Sequence, residues 1–355
     1  MSAGFDGSIP PPSRPSLPPG AGDDDLRPER TPPLVRVERL TKDYSVKTGL
    51  FSRPRVLRAV NDVSLYVRPG ETLGMVGESG CGKTTLGRTI LRLVTPTHGR
   101  ISFDGTELTH LGPNALRPFR KRMQIVFQDP YASLDPRMTI GETLAEPLVI
   151  HRLSKSTKDT EAQVQVLLER VGLRADAMHR LPHEFSGGQR QRVGIARALA
   201  TEPSFVVCDE PVSALDVSIQ AQIINLFLDL QDEYRLAYLF VSHDLKVVEY
   251  VSHRVAVMYL GRIVEMGPTA SLFEKRLHPY TRALMSAVPV ADPARRRLRI
   301  VLDGEPPSPL DPPRGCAFHP RCPRSLRGTC DVETPTLRET VTKSGHRVAC
   351  FNPHS

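Results

Sequence analysis

A run of nine residues joins three glycines to a lysine and two threonines, which are residue types that can hold a phosphate group. It follows the apolar segment 72–76 and precedes a helical pattern at 85–93. Glycines let the backbone wrap around an anion, a helix N-terminus offers free N–H groups, Lys83 supplies a positive charge and Thr84 can ligate Mg²⁺. The GxxxxGKS/T spacing between a strand and a helix therefore predicts a nucleotide-phosphate site. Its residues are Gly77, Glu78, Ser79, Gly80, Cys81, Gly82, Lys83, Thr84 and Thr85.

Two carboxylates, Asp209 and Glu210, follow the apolar segment 205–208. Such a segment is typical of a strand buried in a parallel sheet, and ligands of α/β proteins bind at the carboxyl edge of such sheets. Asp209 suits the coordination of Mg²⁺, and Glu210 is placed to polarise an attacking water. Alone, two acids could simply cap the next helix. Together with the phosphate loop they predict hydrolysis of a nucleoside triphosphate.

A third segment reads Ser186, Gly187, Gly188 and Gln189, and a helical pattern follows it. Ser186 can cap that helix, and the glycines expose its first amides to an anion. Alone this is only a helix start. Between the phosphate loop and the two carboxylates, however, it resembles the signature of ATP-binding cassette (ABC) ATPases. The resemblance covers roughly residues 34–289.

This resemblance implies roles for five further residues. Tyr44 matches the aromatic residue that stacks on adenine. Gln128 matches the glutamine that senses the γ-phosphate, and His243 matches the histidine that contacts it. Ser213 and Asp216 lie in a segment that resembles the loop facing the opposing monomer.

In this family, ATP is held between the phosphate loop of one monomer and the signature of another. The sequence contains both halves with no degenerate substitution, so both are expected to be competent. The expected catalytic residues are Glu210, His243 and Gln128. The expected cofactors are ATP and Mg²⁺, the latter held by Thr84, Gln128 and Asp209.

Hydrophobic periodicity predicts the elements that position these residues. The alternating segment 34–40 and the segment 60–67 are typical of half-buried strands, and the basic, turn-rich residues 45–58 between them indicate a surface hairpin loop. Short apolar runs predict central strands of a parallel sheet at 72–76, 123–127, 205–208 and 238–241.

The resemblance implies an α/β fold, a P-loop NTPase of the ABC type with a RecA-like core, an antiparallel β subdomain and an inserted α-helical subdomain. The ABC ATPase domain is expected at 34–290, with the helical subdomain at about 137–185. Residues 1–33 carry nine prolines and few large apolar side chains, which predicts a disordered tail. Residues 291–355 are expected to form a separate C-terminal extension that contains cysteines.

Composition narrows the class of protein. No segment approaches the ~18 consecutive apolar residues of a membrane span, and the proline-rich, acidic start is unlike a secretory signal, so a cytoplasmic location is expected. Lys and Arg total 47 against 39 Asp and Glu, a balance that permits attraction to nucleotides, nucleic acid or anionic lipid and selects none of them.

Within the family, residues 128–138, 211–220, 278–281 and 315–323 resemble dipeptide and oligopeptide permease ATPases of the F type. The implied partners are two transmembrane permease subunits, an extracytoplasmic solute-binding protein and a second, D-type ATPase in a heterodimer, at the cytoplasmic face of the inner membrane. Nickel and glutathione importers share this subfamily and stay open as alternatives.

A nucleic-acid-associated ABC ATPase is a further alternative, with the basic residues 295–299 as its footprint. No base-stacking aromatic residues accompany these arginines. A solvated face or contact with anionic lipid is therefore the favoured interpretation, and no direct nucleic-acid partner is expected.

Four cysteines lie in the extension with five, seven and nineteen residues between them: Cys316, Cys322, Cys330 and Cys350. The spacing lacks the Cys-x2-Cys pair of zinc sites, but four thiolates can hold Zn²⁺ or an iron–sulfur cluster. The resemblance favours a [4Fe–4S] cluster, with His319 and His346 as alternative ligands. The cluster is expected to be structural, and the extension is expected to supply no group that must reach ATP.

Overall fold

The computed structural model describes residues 31–47, 54–129, 131, 133–287, 300–302, 304–340 and 345–354. Most of the predicted tail, the basic residues 295–299 and the predicted domain boundary at 290–291 lie outside these residues. Everything below concerns the unit Pro33–Ser355.

Twelve strands are formed within the described ranges. They are β1 (Val35–Val46), β2 (Arg55–Val67), β3 (Thr72–Val76), β4 (His98–Phe103), β5 (Thr106–Glu107), β6 (Met123–Val126), β7 (Phe205–Asp209), β8 (Ala237–Val241), β9 (Arg254–Tyr259), β10 (Arg262–Pro268), β11 (Arg338–Glu339) and β12 (Arg347–Val348).

The same part of the chain forms nine α-helices. They are α1 (Lys83–Ile90), α2 (Pro113–Arg122), α3 (Ile140–Ile150), α4 (Thr157–Arg170), α5 (Gly187–Leu199), α6 (Val217–Tyr234), α7 (Leu245–Val251), α8 (Thr269–Lys275) and α9 (Pro279–Ser286). None of the described helices is long and apolar enough to cross a bilayer.

An antiparallel sheet forms the first layer, in the order β2-β1-β4-β5. The predicted loop at 45–58 is wrong at both ends, because β1 continues to Val46 and β2 already begins at Arg55. Asp43 and Arg58 face each other across the two strands and form an ion pair of 2.9 Å. This cross-strand pair favours an extended ribbon where composition alone indicated a turn.

A second sheet has the order β11-β12-β10-β9-β3-β8-β7-β6, and its strands β9, β3, β8, β7 and β6 are parallel. The four predicted strands form as β3, β6, β7 and β8, within one residue at either end. The prediction that all four are central was wrong for β6, which lies at the edge of the sheet and is only half-buried in its middle. Because β3, β7 and β8 are buried along their whole length, continuous apolar runs mark them in the sequence. The loops after β3, β7 and β8 meet at the same edge of the sheet.

Between β6 and β7 the structure describes helices and short 3-10 turns, and no strand. Thr139 and Ser156 cap α3 and α4 through their side chains. Leu144 and Leu168 on these helices are fully buried in the core that also contains Val193 of α5. This packing joins the inserted helices to the helix that begins at Ser186.

The extension continues the main sheet instead of folding apart from it. β12 pairs with β10. His346, beside β12, places Nε2 2.8 Å from the Glu265 carboxylate, and both side chains are at most 1% exposed. Glu265 also accepts backbone N–H bonds from Leu277 and His278, each at 2.8 Å. The end of the chain is thereby fastened to the core.

Candidate nucleotide-binding site

The predicted phosphate loop connects β3 to α1 and approaches other backbone closely. A Cβ atom at Gly77 would lie 2.2 Å from the carbonyl oxygen of Met258, and one at Gly82 would lie 2.1 Å from that of Ala59. Gly82 also has a φ of 106°. Only glycine fits these two positions, so their presence in the motif has a steric cause.

Lys83 lies inside this loop, with only 4% of the residue exposed. Its Nζ donates to the carbonyl oxygens of Gly77 and Glu78, at 2.8 and 3.0 Å. The ammonium group is thus held at the concave side of the loop, where a positive charge attracts phosphate oxygens.

Two of the three residues predicted to bind Mg²⁺ lie in contact, while the third, Gln128, bonds to Glu210 instead. Thr84 Oγ1 donates to Asp209 Oδ1 at 2.7 Å. Asp209 is buried, and this burial raises the pKa of its carboxyl group, while the hydrogen bond from Thr84 and the charge of Arg88 oppose the rise. A hydroxyl and a carboxylate side by side are hard oxygen ligands, and they fit Mg²⁺.

Two of the three predicted catalytic residues converge on one carboxylate oxygen of the third, Glu210. Gln128 Nε2 donates to Glu210 Oε2 at 3.2 Å, and His243 Nδ1 lies 3.0 Å from the same oxygen. Glu210 itself has a φ of 48°, which is uncommon outside glycine. Its backbone N–H donates to the Val241 carbonyl at 2.9 Å, so β8 holds the residue in this conformation.

A cleft of about 320 Å³ lies beside the phosphate loop and the Glu210 carboxylate. Residues 79–85 of the phosphate loop, Tyr44, Gln128 and Glu210 line it, together with Pro309. Tyr44 therefore shares a cleft with the phosphate loop, as a residue that stacks on a base must. Pro309 belongs to the extension, so this part of the chain borders the cleft.

The predicted signature begins α5. Ser186 Oγ accepts from the Gln189 N–H, and Gln189 Oε1 accepts from the Ser186 N–H, which is a complete capping box. A Cβ atom at Gly188 would lie 2.4 Å from the Ile219 side chain of α6. Among the described residues that line the cleft, none comes from the signature.

The predicted partner-facing loop lies next to the signature. Asp216 caps α6 by accepting from the Ile219 N–H at 3.0 Å. Ser213 Oγ donates to the carbonyl oxygen of Glu210 at 3.0 Å. The loop thus links the catalytic carboxylate to the helix on which Gly188 packs.

Comparison with known proteins decides the family. The family model for ABC transporters matches residues 60–213, and the model for the C-terminal region of oligopeptide and dipeptide transporters matches residues 264–330. A probable peptide ABC transporter ATP-binding protein, y4tS of Sinorhizobium fredii, is 54% identical over 318 residues, which cover 89% of each chain. The chain belongs to the ABC transporter ATP-binding proteins.

Other relatives and solved structures agree with this family. The dipeptide transport ATP-binding protein DppF of Haemophilus influenzae is 49% identical over 320 residues, covering 90% of this chain and 97% of that one. The dimeric cassette MJ0796 bound to ADP and Pi is 28% identical with a TM-score of 0.59, over 66% of this chain and 98% of that one. The cbiO1 subunit of Clostridium perfringens is 26% identical with the same TM-score, over 69% and 92%. The ABC cassette fold is therefore shown.

Two residues of this ABC protein support the phosphate loop and were not predicted to do so. Tyr280 Oη accepts from the Glu78 N–H at 2.9 Å, and Arg321 Nη1 donates to Glu78 Oε2 at 3.2 Å. Burial raises the pKa of Tyr280, which favours the neutral phenol. Tyr280 and Arg321 lie in the segments 278–281 and 315–323 that resemble the permease ATPases, but the resemblance implied no role for either residue.

The four cysteines of the extension are partly or fully buried. No group of three or more His, Cys, Asp or Glu side chains in the described chain is arranged to hold a metal ion. Burial raises the pKa of the thiols of Cys316 and Cys322, and raises that of Cys350 to about 11.

The cysteine sulfurs do accept backbone hydrogen bonds. The Leu326 N–H donates to Cys330 Sγ at 3.3 Å, and the Asn352 N–H donates to Cys350 Sγ at 3.4 Å. The two alternative histidine ligands face other groups. His346 lies between Glu265 and Ser271, while Nδ1 of His319 lies 3.0 Å from the carbonyl oxygen of Cys316.

Proposed function

We propose that this chain is the ATP-hydrolysing subunit of an importer for dipeptides or oligopeptides. The observation that carries the ATPase role is the convergence of Gln128 and His243 on the Glu210 carboxylate, at the edge of a cleft that the phosphate loop lines. The peptide substrate rests on the relatives, which are named as peptide and dipeptide transport proteins.

In this proposal, the phosphate loop binds the nucleotide and Lys83 contacts its terminal phosphates. Thr84, Asp209 and Gln128 hold Mg²⁺, which neutralises charge on the phosphate oxygens when bound. Tyr44 stacks on the base. The Glu210 carboxylate orients the attacking water and receives its proton.

His243 then contacts the γ-phosphate, and Gln128 passes the state of the site to the helical subdomain at about 137–185. We assign the signature residues Ser186, Gly187, Gly188 and Gln189, with Ser213 and Asp216, to ATP held by a second subunit. The place of the signature, outside the cleft of its own chain and at the N-terminus of α5, supports this assignment.

The proposed partners are two transmembrane permease subunits, an extracytoplasmic solute-binding protein and a D-type ATPase that completes a heterodimer. The chain then lies at the cytoplasmic face of the inner membrane. Transport assays of the assembled complex test the substrate class. Peptide uptake that requires Lys83 supports the proposal, whereas uptake of nickel or glutathione alone contradicts the peptide assignment.

We further propose that Cys316, Cys322, Cys330 and Cys350 hold a [4Fe–4S] cluster with a structural role. One feature supports this donor set. Sγ of Cys330 and Sγ of Cys350 each accept a backbone N–H, which lowers the cost of a thiolate. Anaerobic purification is expected to give iron and acid-labile sulfide in equal amounts. Stoichiometric zinc without sulfide, or four freely alkylated thiols, would contradict the cluster.

A further inference from the structure

Among the described residues of the extension, Arg321 is the one whose side chain hydrogen-bonds to the phosphate loop. This residue ends the 3-10 turn His319–Arg321 and directly precedes Cys322. Its side chain is 9% exposed, and Nη1 donates to both carboxylate oxygens of Glu78, at 3.2 and 3.4 Å. The two residues are 243 positions apart, so this ion pair connects segments that are distant in the sequence.

Glu78 is consequently held at three points. Its N–H donates to Tyr280, its carbonyl oxygen accepts from Lys83 at 3.0 Å, and its carboxylate is paired with Arg321. Because Lys83 takes part of its orientation from the Glu78 carbonyl, the position of Glu78 affects the charge that faces the phosphates. Two of the three contacts come from residues C-terminal to the matched ABC segment 60–213.

The charge of Glu78 makes this contact relevant to nucleotide binding. A carboxylate in the phosphate loop repels the phosphates, and the Glu78 side chain is only 31% exposed, so solvent screens it incompletely. Arg321 neutralises this charge. Its turn is fixed by bonds from the His319 N–H to the Cys316 carbonyl and from the Cys322 N–H to the His319 carbonyl, at 2.9 and 3.2 Å.

We propose that Arg321 is a positioning residue of the phosphate loop, which makes nucleotide affinity depend on the order of the cysteine-containing extension. The inference rests on the ATP-binding role proposed above. When the segment around Cys316 and Cys322 is ordered, Arg321 holds and neutralises Glu78. When that segment loosens, an unpaired carboxylate remains at the phosphate site.

Titration of the full-length chain with Mg-ATP tests this proposal. Arg321→Ala is expected to weaken affinity about two- to fivefold, the upper part of the range measured for ion pairs that solvent reaches. Arg327→Ala removes the same charge from an exposed site of the extension and is expected to leave affinity unchanged. In a Glu78→Gln background, the Arg321 substitution is expected to have no further effect. If Arg321 only stabilised the extension, its substitution would weaken Mg-ATP affinity equally in the Glu78→Gln background.

Mg-ATP binding by the wild-type chain and by Lys83→Ala distinguishes failure of this inference from failure of the proposed function. Wild-type chain that binds no Mg-ATP, or Lys83→Ala that binds it normally, would overturn both. Wild-type affinity in Arg321→Ala, or an undiminished loss in the Glu78→Gln background, would overturn the inference alone. Arg321→Lys keeps the charge but loses the planar fork, so it is expected to have intermediate affinity. It provides the same test if the alanine variant does not fold.

Discussion

Replacing Glu210 by glutamine tests the centre of the proposed site. The amide has the same shape and retains an oxygen that can accept the hydrogen bond from Gln128, now 3.2 Å long. The backbone bond from residue 210 to Val241 is also unaffected. The variant loses only the negative charge, and with it the ability to take a proton from water. Loss of a general base costs about 10²- to 10⁴-fold in rate, which corresponds to about 3 to 5 kcal/mol in the barrier.

ATP binding is expected to survive this change, because Lys83 and Thr84 are untouched and one negative charge near the phosphates is removed. The assay measures steady-state hydrolysis by the assembled complex and, separately, the affinity of the purified chain for Mg-ATP. Glu249→Gln, on the exposed face of α7, is the matched control and should hydrolyse normally. Turnover within about twofold of the parent would refute the role of Glu210 as general base.

Three further predictions concern the partner interface and stability. Gly188→Asp should block ATP-driven closure of the ATPase pair, which crosslinking measures, because the added carboxylate repels the γ-phosphate. Gly188→Ala places the same Cβ against Ile219 without a charge and should block closure less. Equal closure in the two variants would exclude the charge of the aspartate as the cause. Burial lowers the pKa of His278 to about 4, so the unfolded chain binds a proton that the folded chain does not, and about 3 kcal/mol of stability should be lost as pH falls from 6.5 to 4. His278→Asn, which keeps a capping acceptor, should flatten that part of the pH profile in chemical denaturation, and an unchanged slope would contradict the assignment. His346→Ala should cost about 2 to 4 kcal/mol in urea unfolding, because it leaves Glu265 buried without its side-chain partner; an unshifted midpoint would contradict this.

The central strands could be predicted from sequence because they are buried on both faces, so that their apolar runs are uninterrupted. The ends of β1 and β2, which form an antiparallel pair in the other sheet, could not be predicted in this way. Contacts between these two strands, such as the ion pair between Asp43 and Arg58, leave no periodic signal within either strand. The basic composition of residues 45–58 correctly predicts exposed side chains, but it wrongly predicts a turn at both ends, where the backbone is extended.

The residues of the candidate site divide in the same way, into those that local sequence predicts and those that depend on distant partners. Lys83 and Thr84 begin α1 directly after the phosphate loop, and Asp209 ends the buried strand β7, so short motifs place them near one another. Glu210 is held by partners 82 and 33 positions away, Gln128 and His243, and only the family resemblance linked those three in advance. Arg321 lies in the segment 315–323 that resembles the permease ATPases, but that resemblance implied no role for it, and its partner is 243 positions away.

The contacts of the extension also carry a reciprocal consequence. If the ordered extension raises affinity for Mg-ATP by a given factor through Arg321, then Mg-ATP must stabilise the ordered extension by the same factor. We therefore expect amides of the segment around Cys316 and Cys322 to exchange with solvent more slowly when Mg-ATP is bound, by about the factor lost in Arg321→Ala. This protection should disappear in Arg321→Ala at saturating Mg-ATP and persist in Arg327→Ala. Protection that is equal in both variants would mean that ATP acts on the extension by another route, such as the cleft wall at Pro309.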